Sequence, residues 1–179
     1  MISKGFVDTV CNSCYTVFDK QVPGFRIIYK KEITTLFAAR LAEKKIKTKN
    51  LQNQKVFDIY YYAMFRVFYK RLRDKAKIHL ILKFIGKKIY DEFKKKNKVS
   101  GNMKKDFAII QRYFIKNKFF TASQFLWTDK KSFKYTLNGP MIYEGARDIY
   151  HELGFSVNVF SKVLEAYFNE FKIKAFGDL

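Results

Sequence analysis

Cys11 and Cys14, the two cysteines of the chain, form the pattern Cys-x-x-Cys. Structural zinc normally needs four such ligands. His79 and His151 are the only histidines, and neither has a partner at ligand spacing. A thioredoxin-like redox pair belongs beside a βαβ pattern. These cysteines instead share a three- and four-residue stripe with Phe6, Val7, Val10, Val17 and Phe18, which is one face of a helix. They are expected to be small core residues, and no metal is expected. The carboxylates offer no acid pair. Asp91 and Glu92 are adjacent, and Asp148 and Glu152 lie one turn apart on one helical face. Both pairs read as solvated helix surface. Phosphate-cradling, dinucleotide, zinc-protease and nucleophile-elbow motifs are absent. The residue types point away from catalysis and toward binding.

Charge is the strongest chemical signal. The 179 residues carry 36 Lys+Arg against 16 Asp+Glu, a formal charge of +20. Residues 1–65 are net +6, residues 66–118 are net +14, and residues 119–179 are net zero. A field focused on one segment attracts polyanions and speeds their encounter. The residues that would carry it are Arg66, Lys70, Arg71, Arg73, Lys83, Lys87, Lys88, Lys94 and Lys95. They would neutralise phosphates or an anionic surface without reading bases. Phe119, Phe120, Phe125, Trp127 and Tyr135 would add stacking faces on a sheet. The alternative is that the aromatics fill the core and the lysines solubilise the surface.

Composition bounds the architecture. Apolar residues make up 48% and aromatic residues 18%, enough for a substantial core and too many for a disordered chain. One domain spanning residues 1–179 is expected at this length. No apolar run approaches the roughly 18 residues of a membrane span. Asp8, Cys11, Asn12 and Ser13 break any signal-peptide apolar region near the start, so a cytoplasmic chain is expected.

Periodicity then places the elements. Helices are expected over 1–21, 31–45, 56–75, 78–96 and 103–116, with 25–29 a short strand or connector and 46–55 a polar loop. The helix over 56–75 has aromatics on more than one face and should be central. Ile78, Leu82, Ile85, Ile89 and Phe93 form the buried stripe of the next helix. Gly86 within it costs about 1 kcal/mol relative to Ala, which suggests that something packs close to the backbone there. Phe119–Trp127 and Ser132–Leu137 read as a β-hairpin around a turn at 128–131. Asn138-Gly139-Pro140 starts a helix that runs to Leu153, with Gly154 as its cap. The last segment fits either a helix or a hairpin over Ser156–Phe176. The alternation of Val157-Asn158-Val159 and of residues 171–176 selects the hairpin, with its turn near 164–166. The fold class is α+β, with N-terminal helices packed on a small antiparallel sheet made of two hairpins.

The stretches Phe84-Ile85-Gly86-Lys87-Lys88-Ile89-Tyr90-Asp91-Glu92-Phe93, Ile110-Gln111-Arg112-Tyr113-Phe114 and Tyr143-Glu144-Gly145-Ala146, with Leu153-Gly154, lie in this element order. Over about residues 31–176 the chain resembles the small ligand-binding fold of the vinyl-reductase type. That fold is shared with TRAPP-core subunits and relatives of the haem-nitric-oxide-binding domain. The chain is most similar to a bacterial family of paralogues known mainly from gliding myxobacteria. Asn97–Gly101 and Phe119-Phe120-Thr121 depart from the family pattern. The Tyr-x-Ser-x-Arg motif of the haem-binding relatives is absent, so no haem is expected at His79 or His151. The resemblance implies a non-catalytic binding or sensing module with an apolar pocket between helices and sheet. Tyr61, Phe65, Ile85, Phe114, Trp127 and Tyr143 are the residues expected to line it. No cofactor is expected beyond an apolar ligand. The expected partners are nucleic acid or an anionic surface at the basic segment, or a protein partner, including a second copy in a homodimer. A small structural subunit of an assembly is the remaining alternative.

Overall fold

The computed structural model describes residues 1–128 and 133–173. Its elements run in order as α1 (Lys4–Gln21), α2 (Phe25–Ile28), α3 (Lys30–Glu43), α4 (Gln54–Leu72), α5 (Lys75–Lys94), α6 (Met103–Lys116), β1 (Ala122–Trp127), β2 (Phe133–Asn138), α7 (Tyr143–Leu153) and α8 (Val159–Glu170). This is an α+β arrangement of helices packed on a small two-stranded antiparallel sheet.

Side-chain caps start most of the long helices, because the first backbone N–H groups of a helix have no partner within it. Ser3, Asn53, Asp74, Asn102 and Asn158 each accept from a first-turn N–H of α1, α4, α5, α6 and α8. The segment 25–29 is a short helix and its C-cap rather than a strand.

The second expected hairpin, over Ser156–Phe176, is corrected by the structure. Val159–Glu170 is the helix α8, and residues 174–176 lie outside the described residues. Val159, Phe160, Val163, Leu164, Tyr167 and Phe168 are all buried. Their spacing of one, three and four residues closes one helical stripe. That stripe outweighs the two-residue alternation at the ends of the segment.

The first hairpin is present, from Ala122 opposite Asn138 to Trp127 opposite Phe133. Residues 129–132, most of the expected turn, lie outside the described residues. Burial alternates along both strands, as the two-residue period of a strand requires. Phe125, Trp127 and Phe133 face inward and gather around Phe107 of α6, with ring centroids 4.8, 6.1 and 5.1 Å away. Tyr167 and Phe168 of α8 reach the same ring.

Helix α4 is central, as its aromatic content implies. Phe57, Tyr61, Ala63, Met64, Phe65 and Phe68 are fully buried. Phe18 of α1 stacks on Phe68 at 3.9 Å and meets Phe65 edge-on. α4 packs on α3 and α7, and α5 packs on α1 and α8. Two glycines permit the closest approaches. A Cβ at Gly86 would lie 2.5 Å from the Lys162 carbonyl carbon, and one at Gly145 would lie 2.5 Å from the Asp58 carbonyl oxygen. Gly86 therefore sets how deeply α8 sits on α5.

Candidate functional site

The six residues expected to line an interior pocket are not brought into one cavity. Tyr61, Phe65, Ile85 and Phe114 are packed into the core, each 0 or 1% exposed. The Tyr61 hydroxyl donates to the Val157 carbonyl at 2.8 Å, so even its polar end is used structurally. Trp127 belongs to the inner face of the hairpin. Tyr143 is exposed and lines a separate shallow cleft of about 220 Å³ with Pro140, Ile142 and Arg147.

The sheet does not offer a stacking platform. Phe119 and Phe120 are buried, and Phe125, Trp127 and Tyr135 occupy the inward positions of the hairpin. The strand period turns these aromatics toward α6 and α8. Gln124, Leu126, Lys134 and Thr136 face outward instead.

The nine nominated cations are mostly neutralised in pairs. Lys70 and Arg71 of α4 both hold Glu32 of α3, and Arg66 holds Glu152 of α7. Lys83, Lys87, Lys94 and Lys95 of α5 meet Glu165, Asp91, Glu170 and Glu92. Arg73 donates to the Lys70 carbonyl. Lys88 lies half-buried beside a hollow shared with Asp91 and Glu92. The α4 and α5 groups thus serve different neighbours. Asp148 and Glu152 are not simply solvated. Arg40 reaches both, and Glu152 also accepts from the Tyr62 hydroxyl at 2.7 Å. These carboxylates dock α7 on α3 and α4.

Cys14 is fully buried and Cys11 partly so, and both are free thiols. Burial, reinforced by Asp8, pushes the Cys11 thiol up to about 12, and burial also raises Cys14. A thiol held protonated is a poor nucleophile and a poor ligand. Among the described residues no group of three or more His, Cys, Asp or Glu is placed to hold a metal ion. No described helix is long and apolar enough to cross a membrane.

A concavity of about 520 Å³ runs along the seam of α5 and α8. That lies in the range of small-molecule sites. Leu80, Phe84, Lys87, Tyr90 and Lys94 line its α5 wall, and Lys162, Glu165, Ala166 and Asn169 line its α8 wall. The three- and four-residue spacing on each helix makes two facing stripes. At one end Leu80 and Phe84 are 52% and 48% exposed, an unusual placement for large apolar side chains beside a cleft. Toward the other end lies Tyr90, which is 1% exposed. Its hydroxyl makes no well-aligned hydrogen bond, and the Glu170 carboxylate is the acceptor within its reach. Burial, and then the charge of Glu170, push this phenol above its usual range, so it stays a donor. Glu170 itself is held by Lys94 at 2.6 Å.

The rim is electrostatically ordered. Lys83 and Lys162 share Glu165 at 2.7 and 2.9 Å. Burial opposes ionisation of Glu165, but the two lysines hold it below the usual carboxylate range. Four lysines face three carboxylates around the groove, which leaves a surplus of positive charge. The sequence carried a signal for this site. Leu80 and Phe84 stand four residues apart, off the buried stripe and among lysines. Their partner wall is hidden in the sequence, because the alternation at the ends of 156–176 points to a hairpin with its turn near 164–166.

The chain matches no known protein family, no curated protein and no solved structure.

Proposed function

We propose that this chain is a non-catalytic binding module. Its α5–α8 groove takes an elongated apolar ligand that ends in an anionic hydrogen-bond acceptor, such as a long-chain carboxylate. The observation that carries this reading is the Tyr90 hydroxyl, buried beside Glu170 without a well-aligned hydrogen bond, in a groove with exposed Leu80 and Phe84. A buried polar group without a partner costs about 1–3 kcal/mol, and a ligand acceptor would remove that cost. From Leu80 to Lys94 the groove floor extends about 20 Å along α5, a length suited to an extended chain. The apolar body would lie on Leu80, Phe84 and Ala166. The acceptor would meet Tyr90 beside Asn169 and compete with Glu170 for Lys94, and the net surplus of one positive charge on the rim favours an anion over a neutral ligand.

Titration of purified, delipidated protein with a fluorescent long-chain carboxylate tests the proposal. Wild type should bind it, and Phe84→Glu should weaken binding at least about ten-fold, because it sets a charge against the ligand's apolar body. Tyr90→Phe should erase the preference for the carboxylate over its methyl ester. Absence of binding by wild type, or the same affinity in both variants as in wild type, would overturn the reading.

A further inference from the structure

We propose that a second groove, walled by the start of α1, the end of α5 and the outer face of α6, binds the phosphodiester backbone of single-stranded nucleic acid. This groove has a volume of about 400 Å³, and its lining includes Lys96, Arg112 and Lys116 and no carboxylate. All three cations are exposed, and among the described residues none forms an ion pair. That sets them apart from the basic residues of α4 and α5, most of which are paired with Glu32, Asp74, Asp91, Glu152, Glu165 or Glu170. The groove therefore gathers three unpaired cations, one from just past α5 and two from α6, with no carboxylate among them.

The geometry fits a strand. Lys105, also exposed and unpaired, stands seven residues before Arg112 and eleven before Lys116. Such spacing keeps all three on one helical face, in a cationic line about 16 Å long. The groove walls are fixed by side-chain amides. Asn97 donates to the Phe93 carbonyl at 2.9 Å and Asn117 to the Tyr113 carbonyl at 2.8 Å, while the Ser3 hydroxyl ties α1 to Asn117 at 2.6 Å. The cations thus project from a preformed trough rather than from a flat face. A trough admits a chain of phosphates and keeps a planar lipid surface away. Among the residues that line it no large apolar side chain is exposed, so it lacks the wedge that a membrane-docking surface inserts.

Two variants with the same change in net charge separate this site from the general field of the protein. Lys96→Gln, Arg112→Gln and Lys116→Gln together empty the groove. Lys70→Gln, Lys87→Gln and Lys95→Gln together remove cations that already have carboxylate partners. Both are measured against a fluorescent thymidine oligonucleotide over a salt series, with thermal melts confirming that each is folded. For three lost phosphate contacts on a single strand, the slope of log affinity against log salt should become shallower by about 2 in the groove variant. The slope of the second variant should stay near wild type. Equal losses in the two variants would show a diffuse field and overturn the proposal. So would wild-type protein that binds phosphatidylserine vesicles and ignores the oligonucleotide. If the triple groove variant does not fold, Arg112→Gln alone carries the test, with a slope change of just under 1 expected.

Discussion

Two buried polar side chains in this protein stand at opposite extremes. Asp106, 1% exposed, accepts from the backbone N–H groups of Ser100 and Gly101, from the Ser100 hydroxyl and from the Tyr167 hydroxyl. It ties the loop before α6 to α8, and each of those donors loses its acceptor if the carboxylate goes. Asp106→Ala should therefore cost about 3 kcal/mol, read as a lower urea midpoint. Tyr90 has the reverse profile. In the unliganded fold its hydroxyl has only the Glu170 carboxylate nearby and no well-aligned bond to it, so Tyr90→Phe should leave stability unchanged or raise it by up to about 1 kcal/mol. A side chain that does not stabilise the empty protein and is needed for ligand preference is a binding residue. If Tyr90→Phe lowers stability instead, the hydroxyl has a structural partner and the groove loses its recognition element. The sequence does not distinguish the two residues. Asp106 reads as one more helix carboxylate and Tyr90 as one more aromatic, because their difference lies in what other elements bring within 3 Å.

Among the elements, the α5–α8 pair matters most to the binding proposal. An alanine in place of a helix-interior glycine normally gains about 1 kcal/mol. At Gly86 the added methyl would collide with the Lys162 backbone, and overpacking of this kind costs about 1–3 kcal/mol. Gly86→Ala should thus destabilise, by up to about 2 kcal/mol net, and should weaken carboxylate binding by moving α8 outward. A stabilised variant with unchanged binding would show that the two helices are not seated on that glycine. The close approach at Gly86 was legible from its awkward position alone, and so were α1 and the helices from α3 to α7, whose stripes are local patterns, but not the four-residue α2. α8 was not, because short alternating runs at its flanks imitate strands. The pairing of the cations was not legible either. Lys70 finds Glu32 and Arg66 finds Glu152 across 38 and 86 positions of sequence, so a count along the chain over 66–118 does not separate the cations of α4 and α5, most of them paired, from the unpaired ones of α6. The hairpin was legible, but the direction its aromatics face depends on α6 and α8 covering one side.

At the scale of the whole molecule, pH acts through two opposed sets of carboxylates. Glu32, Glu144 and Glu165 are held below their usual range, Glu32 and Glu144 chiefly by hydrogen bonds from Arg71, Lys70 and Lys44, and Glu165 by its lysines against the effect of burial. Such groups stabilise the fold above the unfolded carboxylate range, and that contribution is lost as the pH falls through their folded values. Acid also adds to a net charge that already stands at +20, and self-repulsion grows with it. Asp58 works the other way. It sits 7% exposed on α4, where the Gly145 N–H of α7 donates to both of its oxygens at 2.9 Å. Burial pushes its carboxyl up to about 7, and the charge of Glu144 adds to this, against the pull of the Gly145 N–H and of Lys44. The folded protein therefore holds this proton more tightly than the unfolded chain does. The stability it contributes is complete below the ordinary aspartate range and disappears as the pH rises through about 7. Asp58→Asn removes the titration while leaving one oxygen to accept from Gly145. The stability of wild type relative to Asp58→Asn should accordingly fall as the pH is raised from about 4 to about 8, by up to about 4 kcal/mol. Urea midpoints of the two proteins across that range measure the difference. A difference that stays constant would mean that Asp58 remains ionised in the fold throughout, and that α7 is docked on α4 by a full negative charge at its first turn.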